Sequence, residues 1–260
     1  MKDGVSAADL RAGYRGGSKA AEDRNEAWTY HVVRPASFHV AAAFMRAGIT
    51  ANQVTWLSMI VLVGGCLLLG FGSYPAAVLG AVLINGWLLL DCADGNIARH
   101  HGTFSTYGAF LDTIGGYAAY ALVFLAAGLG ACNRPDEVWL APFPNDPGGG
   151  GAVWLLLGAW ASIAALWTRL VFQKFKNSFG ALELRRHDAI GPATRRSWRR
   201  TLMSAGNNLL NVSGGLLVLL FLAVLLGALD LFLLLAASGN TVVLVLTFAW
   251  LLRRAAAAAG

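Results

Sequence analysis

Charge is what this sequence has little of. Only 13% of its 260 residues are Asp, Glu, Lys or Arg, whereas 57% are hydrophobic and the mean hydropathy is +0.56. Soluble domains carry roughly a quarter charged residues, so the depletion speaks against a water-facing globular fold and for lipid as the solvent. Cysteine is scarce too. Cys66, Cys92 and Cys132 form no C-x-x-C pair and lie in or beside apolar runs. That argues against a zinc site or a disulfide framework and leaves them as small buried hydrophobes. The first 50 residues contain no apolar core followed by a small-residue cleavage site, so no cleaved leader is expected.

What is present is a series of apolar runs, each long enough to cross a hydrocarbon core, which takes about 20 residues. They fall at 54–72, 76–97, 107–131, 153–171, 209–229 and 231–252. The last two are separated only by Asp230 and its neighbours. The stretch 133–151 holds Pro135, Pro142, Pro144, Pro147 and a four-glycine run, the composition of a loop. Residues 1–27 are polar, basic and Gly/Ala-rich and read as a mobile cytoplasmic tail. Residues 28–50 interleave Tyr30, Val33, Phe38, Val40 and Phe44 with Arg34, His39 and Arg46, as an amphipathic helix in the headgroup layer does. The expectation is an all-α integral membrane protein, with this interfacial helix leading into a six-span domain over 51–254.

Topology follows from where the cations fall. Seven Lys or Arg lie in residues 1–50, eight between Lys174 and Arg200, and Arg253 and Arg254 come near the end. With both termini cytoplasmic, six spans put all three groups and Arg99 on the inner side, leaving Arg134 opposite. This satisfies the positive-inside rule.

Ionisable residues within a span are costly and by default mark function. Span two ends in Asp91-Cys92-Ala93-Asp94-Gly95-Asn96-Ile97-Ala98-Arg99, and span three carries Asp112. A spacing of three puts Asp91 and Asp94 on one helix face. The short turn between the spans predicts antiparallel neighbours, with all three acids near the cytoplasmic ends. Three such carboxylates stay ionised together only with a cation. Oxygen-only ligation points to Mg²⁺ or Mn²⁺. Gly95, Ala98 and Gly108 leave room for a ligand to approach, although helix packing accounts for glycines as well.

The run Asp91-x2-Asp94-Gly95-x2-Ala98-Arg99-x8-Gly108-x3-Asp112 resembles the signature of CDP-alcohol phosphotransferases, D-x2-D-G-x2-A-R-x8-G-x3-D-x3-D, at seven of eight fixed positions. The stretch 49–55, Ile-Thr-Ala-Asn-Gln-Val-Thr, is similar to the family's P-N-x-[IV]-T, with Ala51 for proline. The likeness extends over roughly residues 28–252. It implies transfer of a substituted phosphate from a CDP-alcohol, above all CDP-diacylglycerol, to an acceptor hydroxyl with release of CMP, in phospholipid or glycolipid biosynthesis. It further implies that Asp91, Asp94 and Asp112 hold metal, that Asn52, Thr55, Gly95, Ala98 and Gly108 border the cytidine, and that Arg99 meets phosphate. A homodimer in a prokaryotic plasma membrane, with the site on the cytoplasmic side, is the corresponding expectation.

One departure bears on chemistry. The last signature aspartate belongs at position 116, which is Gly116 here. In the family that acid helps hold metal and deprotonates the acceptor, a role worth about 10²–10⁴ in rate. His100, His101 or Asp112 is the candidate substitute. The rival reading is a homologue that binds metal and CDP-alcohol as a sensor or scaffold. A transporter is a third class, but it predicts midplane acids and internal pseudo-symmetry, and neither is visible. Arg169 and Lys174 sit where they could seat an anionic acceptor. The remaining basic residues up to Arg200 serve equally as an anchor to anionic lipid, and nucleic acid is not an expected partner. Asn207, Asn208 and Asn211 could line a polar cavity or simply cap and pack a helix. The sequence leaves the acceptor alcohol open.

Overall fold

The structure, a computed structural model, describes residues 5–15, 18–103, 105–134, 138–140, 151–188 and 211–259. Every regular element among them is helical. Two short helices, α1 (Ala7–Arg15) and α2 (Ser18–Asp23), precede a π-helical turn, Thr29–Val33, that runs straight into α3 (Arg34–Arg46). Four long helices follow: α4 (Ala51–Phe71), α5 (Tyr74–His101), α6 (Thr106–Asn133) and α7 (Ala152–Asp188). A second π turn, Val212–Leu216, opens α8 (Leu217–Leu225), and α9 (Leu229–Ala259) completes the bundle.

Local signals account for the ends of the helices around the future site. Thr50 and Gln53 form a reciprocal capping box at the start of α4, with Thr50 N–H donating to Gln53 Oε1 at 2.9 Å. Such a box satisfies two amides that the first turn would otherwise leave unpaired. Gly102 stops α5 in the left-handed conformation, φ +64°, the usual role of a glycine just past a helix end. Ser105 Oγ accepts from Gly108 N–H at 2.9 Å and starts α6.

Among the described residues, five helices are long and apolar enough to cross a membrane: α4, α5, α6, α7 over Ala152–Ser178, and α9 over Leu229–Ala256. Their outward faces carry large apolar side chains in helical register, as with Trp56, Ile60, Val63, Leu67 and Phe71 on α4. In water, faces of this size would aggregate; in a bilayer they face acyl chains. The chain has the build of an integral membrane protein. The expected fifth span is less complete. Its described part, Val212–Leu225, is apolar but rises only about 21 Å at 1.5 Å per residue, and residues 209–210 lie outside the described set. Most of the 133–151 loop, Arg195, Arg196, Arg199, Arg200, Asn207 and Asn208 also lie outside it.

One expectation is corrected. Although a short turn joins α5 to α6, they are not packed neighbours along their length. Instead α4 packs extensively against both, and α5 and α6 touch little. The cause lies in small residues. A β-carbon on Gly80 of α5 would stand 2.6 Å from the Gly65 carbonyl oxygen of α4, so the two backbones approach as only glycine permits. Gly70 brings α4 close to α6 as well, where a β-carbon would stand 3.3 Å from Leu129 Cβ and 3.5 Å from the Ala126 carbonyl oxygen. Beyond α6, α7 packs on it and α9 packs on α7. Leu62, Leu69, Ile84, Val123, Phe124, Leu217 and Leu233 fill the shared core.

The N-terminal residues form a second layer. Leu10, Tyr14 and Ala20 of α1 and α2 are buried with Phe38, Ala41, Val54, Ala93 and Ile97. Residues 7–15 and 18–23, read from composition as tail, are thus two helices, α1 laid on α3 and the end of α5, and α2 against α1 and the first π turn. Asp23 and Arg34 are buried beneath them as an ion pair, with Arg34 Nη2 2.7 Å from Asp23 Oδ2. Tyr14 OH donates to the same oxygen at 2.8 Å. Burial and that bond raise the Tyr14 pKa above its ordinary value.

Candidate active site

Three helix ends and the α3–α4 turn enclose one cavity of about 870 Å³. The start of α4 contributes Asn52 and Thr55. The end of α5 contributes Asp94, Gly95, Ala98, Arg99 and His101, and the start of α6 contributes Gly108 and Asp112. Met45, Ile49 and Ile97 supply an apolar lip. These nine polar, charged or small residues all belong to the set singled out from the sequence. Segments up to 60 residues apart in the chain therefore converge on one concavity.

The acids differ in setting. Asp94 is 5% exposed, and its Oδ2 accepts from Thr55 Oγ1 at 2.6 Å. Thr55, expected at the edge of a base, thus also orients a carboxylate. Asp112 lines the cavity from the open side of α6. Asp91 is half-buried one turn deeper on α5 and does not line the cavity. Ionised, the three would repel one another. Among the described residues, none of the three is in a salt bridge, and Asp91 and Asp112 accept no hydrogen bond. In this arrangement no three His, Cys, Asp or Glu side chains among the described residues gather around a common point. The chemistry of the donor set, carboxylate oxygens without sulfur, of which Asp94 Oδ2 is oriented by Thr55, suits a hard divalent ion.

Small residues keep the walls thin. A β-carbon on Gly108 would lie 3.2 Å from Asn52 Oδ1, so a larger residue would push that amide aside. A β-carbon on Gly95 would lie 3.1 Å from both terminal nitrogens of Arg99, whose guanidinium folds back across that glycine. At Gly116 a β-carbon would meet nothing within 4 Å. The position of the missing signature acid is open space.

Other sequence candidates lie elsewhere. His100 stacks edge-on against His101 at 5.4 Å but does not line the cavity. Arg169 of α7 lies 3.8 Å from the Tyr120 ring centre, donates to the Tyr120 hydroxyl and reaches Asn211 Oδ1 at 3.4 Å. Asn211 and Ser213 in turn donate to Glu26 Oε1 at 3.1 and 2.8 Å, and the Thr29 hydroxyl donates to the Ser213 carbonyl. This polar cluster joins the two π turns, and π turns recur at functional sites. Lys174 borders a separate apolar groove between α7 and α9 with Trp167, Phe175 and Phe248.

Sequence reasoning missed the support beneath the site. Asn96 is 4% exposed and donates to Ser37 Oγ at 2.9 Å. Its Oδ1 accepts from Arg99 Nη2 at 2.8 Å and from Arg34 Nη1 at 3.3 Å. The signal available was Arg34 itself, a cation in a largely apolar stretch.

Fold and cavity together define a membrane-embedded helical protein with an acid-bearing pocket at one end of the bundle. The chain belongs to the CDP-alcohol phosphatidyltransferase family, whose pattern matches residues 48–179, half of its length. It is also similar to the phosphatidylinositol phosphate synthase of Cutibacterium acnes (strain DSM 16379 / KPA171202). The two are 36% identical over 76 residues, which is 28% of this chain and 35% of that protein. The chain therefore spans about a third of the length of that relative.

Proposed function

We propose that the protein transfers a substituted phosphate from a CDP-alcohol to an acceptor hydroxyl and releases CMP. CDP-diacylglycerol is the donor that fits a pocket at the end of lipid-facing helices. The observation that carries this reading is the single cavity shared by Asp94, Asp112, Asn52, Thr55, Gly95, Ala98, Arg99 and Gly108. Asn52 and Thr55 border the cytosine, and Gly95, Ala98 and Gly108 leave space for the nucleoside. Arg99 meets the diphosphate. A Mg²⁺ or Mn²⁺ ion held by Asp94 and Asp112, the two acids that line the cavity, with Asp91 one turn deeper on the same helix as Asp94, would neutralise the charge that develops on the diphosphate.

The acceptor oxygen forms a bond to the phosphorus nearer the donor alcohol. The bond from that phosphorus to the CMP oxygen breaks, and the hydroxyl proton passes to a base. With Gly116 unable to serve, His101 is the group we assign, because it lines the same cavity. Arg169, held with Tyr120 and Asn211, is assigned to an anionic acceptor such as a sugar or polyol phosphate. The similar C. acnes protein is named for phosphatidylinositol phosphate synthesis, so inositol phosphate heads the candidate acceptors. The same reading takes the bundle as six spans with both termini cytoplasmic and the protein as a homodimer.

Purified protein in lipid nanodiscs with Mg²⁺ or Mn²⁺, CDP-diacylglycerol and a panel of alcohols tests the proposal by CMP release. The panel includes inositol phosphate, glycerol phosphate and serine. Release that depends on both the metal and one alcohol supports it. The open space at Gly116 favours a second reading, a binding-only homologue. That reading predicts saturable, metal-dependent binding of CDP-diacylglycerol and no CMP with any alcohol. Absence of both binding and release refutes both readings.

A further inference from the structure

We infer that Asn96, which stands at a variable position of the signature, is a positioning residue that holds Arg99 in the donor pocket, and that the N-terminal layer holds Asn96 in turn. The inference rests on the reading of the cavity as a site for a cytidine diphosphate. Arg99 is long and flexible, with three alternative staggered wells about each sp³ torsion, and its head is fixed by Asn96, three residues back on the same helix. Its Nη2 donates to Asn96 Oδ1 at 2.8 Å, which draws the guanidinium back over Gly95 on the cavity wall. Without that bond the head is free to extend along the helix C-terminus, where the backbone carbonyls attract cations.

Asn96 itself has no freedom to spare. Its amide nitrogen donates to Ser37 Oγ at 2.9 Å, and Ser37 Oγ donates to the Arg34 carbonyl at 2.8 Å. Its oxygen also accepts from Arg34 Nη1 at 3.3 Å, and the same nitrogen reaches the Cys92 carbonyl at 3.2 Å. Two guanidinium donors on one oxygen and a hydroxyl acceptor on the nitrogen set the amide orientation unambiguously. Arg34 is anchored on its far side by Asp23, through Nε at 2.8 Å and Nη2 at 2.7 Å. The relay runs from Asp23 through Arg34 and Asn96 to Arg99, and all but its last member are at least 95% buried. Asp23 and Arg34 thereby reach the donor pocket without lining it.

The test is a double-mutant cycle on CDP binding, measured by titration calorimetry of the full chain in nanodiscs with Mg²⁺. Asn96→Ala and Arg99→Ala should each weaken CDP about tenfold, the effect of one charge-assisted hydrogen bond. The double variant should be no weaker than Arg99→Ala alone, because Asn96 acts only through Arg99. Cytidine, which lacks the diphosphate, should bind all variants alike. Additive losses, an equal loss of cytidine binding, or an unchanged CDP affinity in either single variant overturns the relay. If Asn96→Ala fails to fold, Asn96→Asp keeps an acceptor for both guanidinium groups and should bind CDP within a few-fold of wild type. A tenfold loss there, with thermal stability intact, also overturns it. Wild-type protein that does not bind CDP at all sinks the donor reading instead, which keeps the two failures distinct.

Discussion

Restoring the acid at position 116 perturbs the site with little disturbance of the fold. Gly116→Ala, the control, places a methyl where no atom lies within 4 Å and should stabilise α6 by up to about 1 kcal/mol, the helical cost of glycine relative to alanine. Gly116→Asp adds a carboxylate one turn beyond Asp112, where side chains four apart face each other at about 5–6 Å. Without metal the two like charges oppose each other, at about 0.2–0.5 kcal/mol on an exposed helix and more at this half-buried position. With metal the second acid becomes an additional ligand and the sign reverses. The thermal midpoint of Gly116→Asp should therefore rise more on adding Mg²⁺ than that of Gly116→Ala. CMP release should rise by about 10²–10⁴ if the wild-type chain lacks a base. Both are measured on the same nanodisc preparation, with and without EDTA. Equal metal dependence in the two variants would refute the placement of position 116 beside the ion. An unchanged rate from an active wild type would locate the base elsewhere, with His101 the next side chain to replace.

Further outcomes follow from the same geometry. Asp94→Asn keeps the shape and the Thr55 bond but removes the charge, so metal-dependent CDP binding should vanish; retained binding by calorimetry would remove Asp94 from the site. Asp23→Ala leaves the Arg34 guanidinium buried without its carboxylate and should cost about 3–5 kcal/mol. Hydrogen exchange would show this as loss of protection across residues 7–46, and unchanged protection would count against the ion pair as an anchor. Gly80→Leu forces a side chain against the Gly65 carbonyl, so thermal unfolding should fall by many degrees, whereas Gly86→Leu, where a β-carbon meets no atom within 4 Å, should leave it nearly unchanged. Equal midpoints for the two leucine variants would contradict the close α4–α5 packing.

Much of the pocket was readable because its residues lie in three short stretches, 52–55, 94–101 and 108–112, each with a spacing that is a property of a single helix. Helical periodicity is a local rule, and it carried Asp94, Gly95, Ala98 and Arg99 to one wall. What failed to show was the arrangement between helices. A short turn suggests that α5 and α6 pair, but the glycine faces at 65, 70 and 80 outweigh connectivity and draw α4 between them. The N-terminal helices were hidden for a different reason. Their composition is poor in large apolar residues, and their order rests on a few long-range contacts of Leu10, Tyr14 and Asp23. Such contacts leave no periodic trace. Asn96 was passed over because attention fell on the fixed positions around it.

The interposed α4 also governs how far apart the acids stand. Asp94 and Asp112 ride on rods joined at a four-residue elbow, and a third rod lies packed against both, so its bulk bears on the gap between them. A side chain enlarged at Gly65 or Gly70, many residues along α4 from any carboxylate, would act on the mouth as a thicker wedge does on tongs. If those acids hold an ion, as proposed above, the grip on it would be adjustable from the far end of α4.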